Sequence, residues 1–255
     1  MKTGILCSTF RGDADFWRYA HKAYRKFAHG FAGLVLVVPP QDEAFFEWYR
    51  AYDLNVIYYP EDPKKGMLNH CVVISSADLF VPQDWDLVLI LDSDCLFTAP
   101  VTPEDYMQDG KPVIWRERFA DFKDSYPVRY NWKYCVQNAL GINPEWETMV
   151  RHPMAHYHWL FKEFREAVSK HTGKEFSEYV LSGRNEFPDS FMAHDNLGAF
   201  ALDRHPAKYH WIDAHLSPLL PCGWYEPYPG DKLRFFWSRG GMTKTVREEM
   251  EKILA

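Results

Sequence analysis

Strand-like apolar runs alternating with segments of helical period constrain the first hundred residues more than any other feature. Residues 4–9 read as a buried strand, residues 33–38 as a second with LVLVV at its centre, residues 54–58 as a third and residues 87–91 as a fourth buried one. Between them, Asp13 stands where an N-cap would open a helix through Phe16, Ala20, Ala23 and Phe27, and further helices are expected over 42–51 and 67–79. Such alternation implies an α/β fold with a mostly parallel sheet and right-handed crossovers. Ligands of these sheets gather beyond the carboxyl ends of the strands. Polar residues stand at those ends: Thr9 and Arg11, the loop after Pro39 and Pro40, then Asp92 and Asp94.

The second half is less regular. Residues 111–116 predict a strand, residues 119–138 are aromatic and charged without clear period, and residues 157–171 predict a helix ended at Gly173. Short strands are expected at 197–203 and 207–213, and a capping box of Thr245 with Glu248 should start the last helix. At 255 residues with 47% hydrophobic content, a single domain over 1–255 is the default.

A net charge of −6 gives no global field that would draw the chain onto a polyanion. Five cysteines scattered singly fit free thiols in a reducing cytoplasm, and no apolar stretch approaches the roughly 18 residues of a membrane span. The expected location is therefore cytoplasmic.

The chemistry concentrates in DLVLILDSDCLF, residues 86–97. On an extended chain residues two apart point the same way, so Asp92 and Asp94 are expected to share one face with Ser93 turned from it. Two hard carboxylates suit Mg²⁺ or Mn²⁺, and an ion with open positions could carry diphosphate oxygens and act as a Lewis acid on a departing group. An Asp-rich turn without chemistry is the plain alternative.

The strand-borne D-S-D and the preceding segment GMLNHCVVISSADLF resemble GT-A glycosyltransferases, and VTPEDYMQDGKPVIW and FSEYVLSG resemble a poorly characterised bacterial and phage glycosyltransferase-like family. The resemblance implies a GT-A fold with a nucleotide-sugar half over 1–118 and an acceptor-side half over 119–255. It implies a nucleotide-sugar donor, UDP-sugar favoured, with Asp94 coordinating the metal directly and Asp92 binding it through water or holding the ribose. Thr9, Phe10 and Arg11 would lie near the nucleotide, with Ser93 beside them, and Asn69 near the sugar or base. GT-A enzymes often add a histidine near the C-terminal end of the fold. His194, His210 and His215 are the candidates here, His215 first. The trio His152, His156 and His158 has ligand-like spacing but no carboxylate alongside in the sequence.

An inverting transfer needs a general base, for which Glu178, between apolar and aromatic neighbours, and Asp195 are the candidates. The tail FFWSRGGMT suits a loop over diphosphate. Trp115, Phe119, Phe122, Tyr126, Tyr130 and Trp132, interleaved with cations, suit a glycan or small-molecule acceptor, and a hydroxylated base of phage-type DNA is the second possibility. No P-loop, dinucleotide fingerprint or nucleophile elbow is present. Two rival readings stay open: a phosphatase of the haloacid dehalogenase type using Asp92 as nucleophile, although Leu96 stands where Thr or Val is usual, and a binding module with a Mg²⁺ or Ca²⁺ site.

Overall fold

The computed structural model describes residues 1–52, 54–122, 127–150, 152–184, 191–214 and 232–255. Its strands are β1 (Thr3–Ser8), β2 (Leu34–Val38), β3 (Asn55–Tyr58), β4 (Leu87–Ile90), β5 (Cys95–Phe97), β6 (Met107–Gln108), β7 (Lys111–Arg118), β8 (Trp146–Glu147), β9 (Met154–Tyr157), β10 (His210–Asp213) and β11 (Leu233–Phe235). The longer helices are α1 (Ala14–Phe27), α3 (Gly66–Ser75), α6 (Trp132–Leu140), α7 (His158–Thr172), α9 (Ala193–Arg204) and α10 (Lys244–Leu254), with short α2 (Glu43–Phe46), α4 (Phe119–Phe122), α5 (Pro127–Tyr130) and α8 (Phe176–Leu181).

The central sheet has the order β3-β2-β1-β4-β9, parallel except for β9, which runs antiparallel to β4. The apolar runs are buried on both faces, as their unbroken hydrophobicity requires. Leu6, Val35, Val37, Val88 and Ile90 pack into one core with residues of α3, α7 and α9, and Ile5, Cys7, Leu34, Leu36 and Leu89 into a second core with residues of α1 and α10. A second sheet, β10-β7-β6, lies in the later half, and β11 pairs antiparallel with β5. The chain is thus a mixed α/β fold, its parallel-dominated sheet flanked by helices, as the alternation predicts.

Strand order reverses at β1: the chain moves outward through β2 and β3, then returns to place β4 on the other side of β1. Loops leaving β1 and β4 diverge there, and the crevice between them is where ligands of open parallel sheets bind.

Four local expectations are corrected. The run 197–203 is helical, part of α9, because it is apolar on all sides and buried, a pattern that period alone does not distinguish from a strand. The helix expected over 42–51 breaks into α2 and a 3-10 stretch, Glu47–Tyr52. Between 119 and 138 lie α4, α5 and most of α6. The last helix is capped by Thr243, whose hydroxyl accepts from the Val246 N–H at 3.2 Å, so Thr245 already lies inside it. Gly173 ends α7 in the left-handed conformation as expected, at φ 70°.

Two buried imidazoles tie the fold to pH. Burial, helped by the charge of Arg25, lowers His21 to about 4, where it packs edge-on to Tyr49 with ring centroids 5.0 Å apart. Burial likewise lowers His156, on β9, to about 3. Below the ordinary histidine range the unfolded chain takes up protons that the fold refuses, so this stability is whole above about pH 6.5 and is lost as pH falls toward 4 and then 3. The raised carboxylates of the fold act in the opposite sense, so the test is a comparison: between pH 7 and 4, His21→Phe, keeping the ring stack, should gain on wild type by about 3 kcal/mol in urea unfolding; an unchanged difference would contradict the assignment.

Candidate functional site

The last apolar residue of the central strand, Leu91, donates its N–H to Leu6 O at 3.0 Å, and the chain turns at once, with the Cys95 N–H donating to Asp92 O at 3.1 Å. Asp92 and Asp94 therefore sit in a tight turn between β4 and β5, not along an extended strand as the sequence suggests. The carboxylates still converge: one oxygen of each, with the Cys95 sulfur, fall within 4.8 Å of one another. Ser93 donates to Asp13 Oδ2 at 3.2 Å. Asp13 thus serves the motif from the N-terminal end of α1, and its side chain makes no capping bond there.

Three imidazoles surround Asp92. Its Oδ1 lies 3.5 Å from His70 Nε2 and 3.9 Å from His194 Nε2, and its Oδ2 lies 4.0 Å from His152 Nδ1. Each comes from a different element. His70 is on α3, His194 in the first turn of α9, and His152 leads into β9. Register explains the last: Ile90 pairs with Met154 in antiparallel β4 and β9, so two residues onward from Ile90 meets two residues back from Met154. Side-chain parity puts both groups on the face whose core includes Ile90 and Met154, the face covered by α3 and α9. The His152 and His194 rings meet edge-on, centroids 4.6 Å apart.

The charges of the two aspartates are set in opposite directions. Burial alone would raise Asp92, but the His194, His70 and His152 imidazoles outweigh it and hold its carboxyl well below the usual range. Burial and the adjacent Asp92 charge push Asp94 up to about 7, against the pull of Ser238. The tail reaches the motif through β11: Phe236 N–H donates to Asp94 O at 2.8 Å and Ser238 N–H to Asp94 Oδ2 at 3.0 Å. A loop from the far end of the chain thus caps the turn with backbone N–H groups, as FFWSRGGMT suggests, but toward Asp94 itself.

The donor set fits a divalent cation. Asp92 Oδ1 and both ring nitrogens of His194 are buried with no hydrogen-bond partner among the described residues. Leaving such groups unmatched costs about 1–3 kcal/mol each. One atom each from Asp92, His152 and His194 also fall within 4.8 Å of one another.

Other expected residues are spread along the same strand edge. Thr9 is buried, and its Oγ1 has no hydrogen-bond partner among the described residues. Phe10 is exposed, and the Arg11 backbone N–H donates to the buried Asp42 at 2.8 Å. Glu61, missed in the sequence, sits in the loop after β3 near His70 and Asp42, and burial raises it to about 7. Asn69 is turned inward, Nδ2 donating to Asp62 O at 2.6 Å, so the next residue, His70, is the one that reaches the motif.

Neither candidate base is among the described groups that converge at the motif. Glu178 is exposed on α8, outside the apolar enclosure expected of it, because its helix buries Phe176 and Val180 instead. Asp195 points away from the cluster and accepts from the Thr148 N–H at 2.9 Å, bracing the chain after β8. Of the sequence trio, only His152 joins the site; His156 lies buried 3.3 Å from the Tyr209 hydroxyl. His210 is on β10, 3.5 Å from Asp109. His215 lies outside the described residues.

Three aromatic rings of the stretch 115–132 are buried in packing. Phe119, Phe122 and Trp132 form a small core with Met149, and Arg129 pairs with Glu117 at 2.8 Å and with the buried Glu147. Arg116 stacks on the Trp146 ring. Tyr126 lies outside the described residues.

The fold is similar to that of mouse xyloside xylosyltransferase 1 in its apo form, with a TM-score of 0.50 and 13% identity, over 95% of this chain and 100% of that one. At that identity the likeness is one of fold, and the architecture is of the GT-A type. No protein-family profile matches the sequence, and no curated protein does.

The seat of α9 sets where His194 stands. Gly198 approaches Thr148 so closely that a Cβ there would lie 2.2 Å from Thr148 Oγ1 and 2.6 Å from its Cβ. Thr148 is fully buried and cannot retreat. Gly198→Ala is expected to destabilise the fold by about 1–3 kcal/mol in denaturant unfolding; an unchanged midpoint would show that α9 has slack.

Proposed function

We propose that the chain is a metal-dependent glycosyltransferase, moving a sugar from a nucleotide-diphosphate sugar, UDP-sugar favoured, to a hydroxyl of a glycan or small-molecule acceptor. The observation that carries this reading is the D-S-D turn at the end of β4, beside the strand-order reversal, in a GT-A-type fold. Asp92 and Asp94 would hold Mn²⁺ or Mg²⁺, and that ion, when bound, supplies positive charge to a departing diphosphate. On this reading residues 1–118 carry the donor and residues 119–255 face the acceptor.

The chain's own groups do the rest. Imidazoles keep Asp92 ionised, so that it meets a cation as a full anion. The Ser238 N–H fixes the orientation of Asp94 while leaving its other oxygen for a ligand. The Thr9 hydroxyl, buried at the end of β1, would satisfy its missing hydrogen bond on the donor, and the exposed Arg11 would pair with phosphate at the rim. Carboxylates at the ends of successive strands, Asp13, Asp42, Glu61, Asp92 and Asp94, leave this edge acidic, which supports binding a diphosphate through a cation rather than directly. For an inverting transfer Glu178 and Asp195 remain the candidate bases: Glu178 faces solvent, and Asp195 accepts from the Thr148 N–H through one oxygen while its buried Oδ2 has no hydrogen-bond partner among the described residues.

The phosphatase reading is less favoured, because haloacid dehalogenase-type enzymes carry the motif on the first strand of the core and here it follows the fourth. A panel of nucleotide-sugars with and without Mn²⁺ separates the two. A cognate donor at about a hundredfold excess over Kd should stabilise by about 2.7 kcal/mol, a shift of roughly 5–10 °C, only with the metal present. Asp94→Asn is expected to abolish that shift. Turnover of a simple phosphate monoester that depends on Asp92, with no donor-induced shift, would replace this reading with hydrolysis.

A further inference from the structure

The two ligand sets at the motif share Asp92 but differ in chemistry. One is all carboxylate and thiol, Asp92 with Asp94 and Cys95; the other is Asp92 with His152 and His194. We propose that the second set is a cation site in its own right, a two-histidine, one-carboxylate site for a borderline transition metal such as Zn²⁺, Co²⁺ or Mn²⁺, which discriminates against Mg²⁺ and Ca²⁺. The site does not depend on the transfer reading.

Geometry carries the assignment. Asp92 lies 3.9 Å from His194 and 4.0 Å from His152, beyond hydrogen-bond length. One ligand atom from each of the three residues lies within 4.8 Å of the others, and two atoms bound to one ion at about 2.1 Å each stand roughly 3–3.6 Å apart, so side-chain adjustments of about an ångström complete the set. His194 is the independent witness. It is buried, neither ring nitrogen has a hydrogen-bond partner among the described residues, and its Nε2 is directed at Asp92. A histidine placed only for packing would have no reason to carry two nitrogens into that position, where an apolar ring would serve at lower cost.

The outer partners are of the kind that steady a metal site. His70 stands 3.5 Å from the same Asp92 oxygen as His194, and Phe235 of β11 stacks on His152 with ring centroids 6.3 Å apart. Imidazole nitrogen suits borderline transition metals, whereas Mg²⁺ and Ca²⁺ prefer all-oxygen shells. Selectivity therefore comes from the histidine side of Asp92, and the oxygen side with Asp94 stays available to a ligand.

The test is spectroscopic and uses the full chain after chelator treatment. Titration with Co²⁺ should develop visible d–d bands of nitrogen-ligated cobalt, displaced by Zn²⁺ but not by a large excess of Mg²⁺. His194→Leu and His152→Gln should each weaken Co²⁺ binding by roughly tenfold or more. A purely structural histidine would leave cobalt affinity unchanged when replaced. Asp94→Asn should retain the bands. Bands lost in Asp94→Asn but kept in both histidine variants, bands absent from wild type, or Mg²⁺ competing as well as Zn²⁺ would overturn the site. Cobalt bands without response to any nucleotide-sugar would leave the site standing and remove the transfer reading alone.

Discussion

A buried carboxylate at the end of a central strand must be compensated, and the compensation of Asp92 organises this molecule. Desolvation would raise its pKa and discharge it. Three imidazoles oppose that, and they arrive from the helix before β4, the segment leading into β9 and the first turn of α9. Keeping them there requires β9 to pair antiparallel with β4 and α9 to seat against Thr148. The site thus depends on the second half of the chain closing back onto the sheet made by the first, and β9, from that second half, is an edge strand of the central sheet.

Asp94 is handled differently by the same surroundings. It accepts from Ser238 of the tail, and burial beside Asp92 raises it to about 7. Adjacent carboxylates with divided protonation are what like charges in one low-dielectric site produce. Binding a cation would relieve both the repulsion between them and the unmatched oxygen of Asp92. The acidic strand edge points to the same need for positive charge, and His194, whose ring nitrogens have no hydrogen-bond partner among the described residues, stands beside it.

The second charge cluster, Arg129 with Glu117, Glu147 and Asp195, shows the opposite solution. There a buried guanidinium supplies the countercharge. Burial and the Asp195 charge raise Glu147 to about 8, and the Thr148 N–H anchors Asp195. Adjacent residues of α9, His194 and Asp195, therefore serve different clusters, because successive helical positions point about 100° apart.

Sequence alone determined the parallel sheet, its first four strands and the place of Asp92 and Asp94, because unbroken apolar runs and a polar pair at their ends are local signals. It misjudged α9, where a helix buried on all sides has no period to read, and it left the stretch after β7 without a period, although Phe119, Phe122 and Trp132 fill a core there. Only the tertiary structure decided which histidines meet Asp92. His70 is separated from Asp92 by 22 positions, His152 by 60 and His194 by 102, and their convergence follows from strand register and helix seating, which single residues do not encode. The same holds for the carboxylates: their pairing is written in D-S-D, but the turn that joins them and the tail that caps Asp94 come from contacts across the chain.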